Sequence, residues 1–253
     1  MKNKNLCIIQ ARMGSTRLPG KTLMKVGGIP MLEYEIKRVL QSKYVDKIVV
    51  ATTANKEDNA IEAFCKRAGV DCFRGSADDV LGRYYECASR YPQYQNIVRI
   101  TGDCPLIDPF VIDRVIAHFL DCKVDYASNV LKETFPDGMD VEIFTKVALV
   151  EAQHKAALSS EREHVTLYIR KRKKFKKTNV PAEHNFSHFR LTLDRPEDFE
   201  VIKFLIQHSS PADEYLSYIS ILTKNPRIMF KNMHVIRNEG LLKSLKNDFK
   251  IKN

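Results

Sequence analysis

The sequence predicts an α/β protein with a doubly wound, mostly parallel sheet and a small inserted α+β lobe. Three observations carry that expectation. Apolar runs of strand length alternate with amphipathic stretches of helix length up to about Leu120, the pattern of a sheet covered on both faces. The first apolar run, Leu6 to Ile9, opens directly onto a turn rich in Gly, Ser, Thr and cations. After Asp121 the alternation loosens, and it resumes near Phe189.

Taken in order, Leu32, Ile36, Val39 and Leu40 recur at i, i+4, i+7 and i+8, so Pro30 to Gln41 is a predicted helix with Pro in its first turn. Lys47 to Thr52 is a buried strand, and Glu57 to Ala68 a helix turning Ile61, Phe64 and Cys65 inward. Asp71 to Gly75, a helix from Ala77 to Arg90, the strand Asn96 to Ile100 and a helix from Pro109 to Leu120 follow. Next come a short strand at Asp125 to Asn129, a turn at Phe135 to Gly138 and an alternating strand at Met139 to Phe144. Helices are expected at Lys146 to Leu158 and Glu161 to Arg170, then a strand at Phe189 to Leu193. Asp194 to Asp198 starts a helix that runs to His208, and two short helices, Glu214 to Thr223 and Glu239 to Asp248, finish the chain. The whole is one domain over 1–253, with the insert at about 130–188.

Composition excludes some function classes. No run of about eighteen apolar residues exists, so no integral membrane association is expected, and MKNKNLCIIQ is too short in its apolar part for a signal peptide. Six scattered cysteines without a CxxC pair describe reduced core residues of a cytoplasmic protein. Lys and Arg number 41 against 31 Asp and Glu, a net charge of +10 that favours anionic partners. Nucleic acid is not expected among them: the basic run Arg170 to Lys177 is interrupted only by Phe175 and belongs to no recognition module.

The chemistry starts at Gln10 to Lys21, QARMGSTRLPGK. Gly14 and Gly20 allow close backbone approach, Ser15 and Thr16 offer hydroxyls, and Arg12, Arg17 and Lys21 offer charge. Such a loop after a first buried strand suits a phosphate chain better than it suits an ordinary basic surface turn. It is not a Walker loop, because Gly14 and Gly20 stand one residue too far apart. In a doubly wound sheet, ligands bind beyond the carboxyl ends of the strands, at the switch in strand order. That rule places Thr101 to Leu106 beside the loop. Asp103 and Asp194, each just past a strand, are then a carboxylate pair able to hold Mg2+ against a triphosphate, or else a turn former and a helix cap.

ARMGSTRLPGK resembles the signature of the CMP-sugar synthetases, the cytidylyltransferases that activate Kdo and sialic-acid-type sugars, and is most similar to the spore coat polysaccharide biosynthesis protein F branch. The resemblance covers roughly residues 4–110 and 189–210. It implies a Rossmann-like nucleotidyltransferase fold that takes CTP, uses Mg2+ and releases pyrophosphate. It also implies that Asp103 and Asp194 are the metal carboxylates, and that the insert mediates a homodimer. On this reading Arg12, Lys21 and Asp103 are catalytic, and Gln10, Ala11, Gly14, Ser15, Thr16 and Arg17 hold the nucleotide. Arg74 and Ser76 are candidates for base recognition, with a solvent-facing strand end and a helix cap as the alternative. The acceptor is a small anionic molecule, either a sugar acid or a phosphate- or phosphonate-bearing one. Asp140, Glu142, Arg162 and His164 are its candidate contacts; a polar strand face and helix ion pairs are the competing explanations. Two other functions stay open: a metal-dependent glycosyltransferase, with Asp140-Val141-Glu142 as an imperfect Asp-x-Asp, and a non-catalytic nucleotide-binding subunit.

Overall fold

In the computed structural model, which describes residues 4–249, the first strand, β1 (Asn5–Gln10), lies inside a seven-stranded sheet. Leu6 to Ile9 carry no exposed surface because both faces of the strand are covered. Cys7 and Ile9 enter one core and Leu6 and Ile8 the other, the two-residue period of a strand. The sheet continues with β2 (Lys47–Thr53), β3 (Asp71–Gly75) and β4 (Asn96–Thr101). It is completed by β5 (Tyr126–Ser128), β6 (Glu142–Thr145) and β7 (Lys177–Asn179), in the order β3-β2-β1-β4-β6-β5-β7. β1 pairs in parallel with β2 and β4, and β2 with β3. β6 then runs antiparallel to both β4 and β5, and β7 pairs in parallel with β5. The order reverses between β1 and β4, which sets the ligand crevice at their carboxyl ends.

Helices α1 (Met31–Val39), α2 (Asn59–Ala68), α3 (Val80–Ser89) and α4 (Pro109–Cys122) match the expected positions. Asp108 and Asp79 cap α4 and α3 by accepting from Phe110 and Gly82 backbone N–H groups. α1, α2 and α4 cover one face; α3 and α5 (Lys146–Lys155) cover the other.

The second half departs from the sequence reading in four places. The 130–188 stretch is built onto the sheet, through β6 and β7, and does not stand beside it as a separate lobe. The expected helix Glu161 to Arg170 is two, α6 (Ser159–Glu163) and α7 (Leu167–Lys171), because Val165 takes φ 45° between them and is fully buried. A β-branched residue in that region costs about 1–2 kcal/mol, which its burial offsets. Phe189 to Leu193 is extended but joins no ladder: apart from a bridge between Asp137 and Arg190 it is sandwiched between two turns. Conversely, the end of the basic run supplies edge strand β7, where lysines suit an exposed edge. The basic run is also partly neutralised, Lys174 by Glu151 and Arg172 by Glu161, with Phe175 buried.

The chain ends in α8 (Pro196–His208), α9 (Tyr215–Lys224), the short α10 (Pro226–Met229) and α11 (Glu239–Lys246). At the Phe135 to Gly138 turn, Gly138 takes φ 100°, and a Cβ there would come within 2.5 Å of the Leu191 backbone. No other residue type allows that approach of turn to extended segment.

Candidate active site

The loop that leaves β1 is held before any ligand arrives. Asp58, fully buried, accepts the Met13 N–H at 2.7 Å and the Thr53 hydroxyl, tying the loop to the end of β2. Met13 in turn accepts from Ser15 and Gly20, with Gly20 at φ 72°, and the Thr22 hydroxyl donates to the Arg12 carbonyl at 3.1 Å. On the β4 side, Gly102 N–H donates to Gln10 O at 2.8 Å, and a Cβ on Gly102 would lie 2.9 Å from that oxygen. The loop is therefore preorganised by β2 and β4 together. Replacing Asp58 by Ala should remove the acceptor of three donors, the Met13 and Thr53 N–H groups and the Thr53 hydroxyl, lowering stability by about 1–3 kcal/mol. It should also raise the KM for nucleotide by about tenfold, more than it lowers kcat; steady-state kinetics with a thermal melt check this.

Lys21, at the end of the loop, is 9% exposed. Its ammonium donates to Asp103 Oδ2 at 2.9 Å and to Asp194 Oδ1 at 2.7 Å, and Arg17 also pairs with Asp194. Burial works against the Lys21 charge, but the two carboxylates outweigh it and raise its pKa. Burial alone would raise the Asp103 pKa; attraction to Lys21 outweighs it and holds the carboxyl below its ordinary range. Both groups thus stay ionised at neutral pH.

Asp103 and Asp194 are also fixed through the backbone. The Asp103 carbonyl accepts from Leu193 N–H at 2.8 Å and from the Thr192 hydroxyl at 3.1 Å. Asp198, in the first turn of α8, accepts the Asp194 and Arg195 N–H groups at 2.9 Å each. It also takes both ends of the Arg190 guanidinium, at 2.8 and 2.9 Å, while Arg190 reaches Asp137 at 2.6 Å.

Of these groups Arg17, Lys21, Asp103, Asp137, Arg190 and Asp194 line a crevice of about 370 Å³. It brings together Gln10, Ala11, Arg12, Ser15, Thr16, Arg17, Lys21, Asp103 and Asp194, as expected from the sequence, with Asp140, Glu142 and His164 farther along. The Gln10 Oε1 atom there is buried without a partner among the described residues. Gly14 belongs to the loop but not to the crevice lining; a Cβ there would crowd the Glu57 carboxylate.

Three candidates lie elsewhere. Arg74 spends its guanidinium on the Thr53 and Asn55 carbonyls, Asn59 and Glu62, fastening β3 to α2. The Ser76 hydroxyl accepts the Asp79 N–H in the turn before α3. Arg162 clamps Asp79 with Nε at 2.9 Å and with a second guanidinium nitrogen, and donates to the Gln153 carbonyl, joining α6 to α3. None of the three lines the crevice. Asp140 is not in a strand, since β6 begins at Glu142; it is paired with Arg237. The sequence reading missed Arg83, Arg99, Thr166 and Arg170, and the 235–241 segment that forms the C-terminal edge of the crevice. Arg99 had a signal, a cation within an otherwise apolar strand. Arg170 was hidden in the basic run.

Comparison with known proteins follows this geometry. A family model described as cytidylyltransferase matches residues 6–239. The spore coat polysaccharide biosynthesis protein SpsF of Bacillus subtilis is 36% identical over 234 residues, 88% of this chain and 96% of that protein. An uncharacterised protein of Methanocaldococcus jannaschii is 40% identical over 236 residues, 92% of this chain and 96% of its own. Among solved structures, a cytidylyltransferase from Leptospira borgpetersenii superimposes with a TM-score of 0.86 at 38% identity, covering 93% of this chain and 100% of that one. A CMP-Kdo synthetase complexed with CTP shares the fold, with a TM-score of 0.60 at 18% identity over 81% of this chain and 99% of that one. The matched span takes in the loop, both carboxylates and the extended segment between them, and the chain belongs to the cytidylyltransferase family, in the CMP-sugar synthetase group that includes the SpsF branch.

Proposed function

We propose that the protein transfers CMP from CTP to an oxygen of a small anionic acceptor, with release of pyrophosphate, in the synthesis of a surface polysaccharide or glycan. The observation that carries this reading is the Lys21 ammonium set between Asp103 and Asp194 at the end of a preorganised basic loop. The attacking acceptor oxygen forms a bond to the α-phosphorus while the bond to the bridging oxygen of pyrophosphate breaks. Such a reaction asks for alignment and charge, and little covalent chemistry from the protein. Arg12 and Lys21 hold the triphosphate, with Arg17 supporting, and loop N–H groups, Ser15 and Thr16 complete the grip. The unpartnered Gln10 carboxamide oxygen is available to a donor on the nucleotide.

The carboxylates of Asp103 and Asp194 suit Mg2+. They are hard oxygen donors facing the crevice, and the structure already places a cation, the Lys21 ammonium, between them. Among the described residues no group of three or more His, Cys, Asp or Glu could hold a metal, so phosphate oxygens would supply the remaining ligands. When bound there, Mg2+ would neutralise charge on the phosphates.

A sugar acid is the acceptor we favour, in keeping with relatives named 3-deoxy-manno-octulosonate cytidylyltransferase. The glycosyltransferase reading loses support because Asp140 is taken by Arg237, and Glu142 by Arg99, Tyr126 and Thr166. A homodimer is supported by Val147 and Val150, exposed together on α5. A cytoplasmic location is supported by six cysteines that are all free. No described helix is long and apolar enough to cross a membrane. The test is pyrophosphate release with Mg2+ from each of four nucleoside triphosphates against sugar acids, phosphorylated molecules and phosphonates. Release with CTP and one acceptor class is expected. Release from no triphosphate, with transfer from a nucleotide sugar instead, would sink the reading.

A further inference from the structure

The far end of the crevice, beyond Asp103, has more positive charge than the protein neutralises. Arg99 and Glu142 are cross-strand partners in the β4–β6 register and form an ion pair. Glu142 is 3% exposed: its Oε1 accepts from the Tyr126 hydroxyl at 2.6 Å and from the Thr166 hydroxyl at 2.6 Å, and its Oε2 accepts from Arg99. Arg170, one turn along from Thr166, also lines the crevice, yet its guanidinium has no hydrogen bond and no ion pair within 4 Å among the described residues. The Nε of Arg99 is likewise buried without a partner. Two guanidinium charges thus act on one carboxylate, which bonds only Arg99 of the two.

The neighbours do not correct the imbalance. Burial lowers the His164 pKa, so its ring is neutral at ordinary pH, and Nε2 is spent on the Ser244 hydroxyl at 3.0 Å. Glu163 is exposed and takes its own hydrogen bond from Ser244. On the nucleotide side Lys21 and Arg17 are matched by Asp103 and Asp194, and Arg12, without an ion pair among the described residues, is the cation left for the phosphates. A half-buried guanidinium left unpaired beside another is unfavourable unless a ligand anion completes it. Its planar fork fits a carboxylate or phosphonate through two parallel hydrogen bonds.

We infer that Arg170, with Arg99 behind it, is the docking subsite for the anionic group of the acceptor, an oxyanion that is either a carboxylate or a phosphonate or phosphate. Glu142 is a positioning residue here: held by Tyr126 and Thr166, it keeps Arg99 at the crevice wall and leaves Arg170 free to turn to the ligand. The inference rests on the cytidylyltransferase reading and deepens it. It says why the acceptor must be an anion, and which end of the crevice reads it.

The test uses the full chain with Mg2+ and saturating α,β-methylene-CTP, which fills the nucleotide site without turning over. Methylphosphonate and lactate serve as probes, followed by protein NMR. At least one should bind wild type, and Arg170→Gln should weaken it roughly tenfold or more, the loss of a charge-assisted pair. Affinity for the CTP analogue should stay within about twofold, which also reports an intact fold. Arg170→Lys should recover part of the probe affinity. Preference for methylphosphonate points to a phosphorus oxyanion as the acceptor's anion, and preference for lactate to a carboxylate. Equal probe binding in wild type and Arg170→Gln, or binding of neither probe beside the analogue, overturns the subsite. Failure of the analogue itself to bind wild type overturns the cytidylyltransferase reading instead.

Discussion

Lys21→Met should lower kcat/KM for CTP by about a thousandfold, in the range found when a preorganised charge stabiliser is removed from a transfer reaction. The wild-type ammonium lies within 2.9 Å of both carboxylates. Methionine keeps the length of the side chain but leaves Asp103 and Asp194 facing each other across an apolar group, with only Arg17 on the Asp194 side. Breaking a fully buried ion pair costs about 3–5 kcal/mol, and these carboxylates are partly solvated, so a loss of stability nearer 1–3 kcal/mol is expected. The folded protein should therefore survive and be assayable. Pyrophosphate release measured beside a thermal melt separates the two effects. A rate within tenfold of wild type would mean that Lys21 holds the turn together and does nothing to the phosphates.

Asp103→Asn and Asp194→Asn should each reduce turnover by about 100- to 1,000-fold at ordinary Mg2+ while leaving the fold in place. Asparagine is isosteric, and the Oδ atom it retains can still accept from Lys21. The backbone contacts at both positions, Leu193 N–H to Asp103 O and Asp194 N–H to Asp198, do not involve the altered side chains. The replacement therefore removes charge and little else. A titration of rate against Mg2+ should move to higher concentration in both variants, because each has lost a hard anionic ligand. Rates close to normal in both, with an unmoved Mg2+ titration, would remove these residues from any metal role.

The first 122 residues were legible because their signals are local. A strand covered on both faces is apolar throughout, and a helix on a sheet shows its period in the chain itself, so β1 to β4 and α1 to α4 could be placed from sequence. The loop from Gln10 to Lys21 was legible for a related reason: its glycines, hydroxyls and cations are consecutive. Asp103 needed the rule that strand ends share a crevice, and Asp194 follows an extended segment that is not a strand of the sheet. Other features depend on distant partners. Arg74 resembled a base reader until Asn59 and Glu62 were found at its guanidinium, and Arg162 faced Asp79 from another helix. Phe189 to Leu193 has the alternation of a strand because Phe189, Leu191 and Leu193 enter the core while Arg190 and Thr192 face the crevice, but turns cover it where a ladder was expected. The 235–241 segment has no motif, and it reaches the crevice through Arg237, which bonds Phe135 and Asp140 about a hundred positions earlier.

That extended segment has a mechanical consequence. On one side Leu193 and Thr192 bond the Asp103 carbonyl; on the other, Leu191 N–H bonds Asp137 O at 2.7 Å and Asp137 N–H bonds Phe189 O at 3.0 Å. Three stretches remote in sequence are thus laced into one crosspiece, and the spacing of the Asp103 and Asp194 main chains is set by backbone hydrogen bonds. Rotation of the two side chains moves the carboxylates but not their anchors, so the crosspiece limits the span over which the pair can meet a triphosphate. The 235–241 edge, by comparison, is fastened through side chains, Arg237 to the Phe135 carbonyl and Asp140, and Asn238 to Glu133.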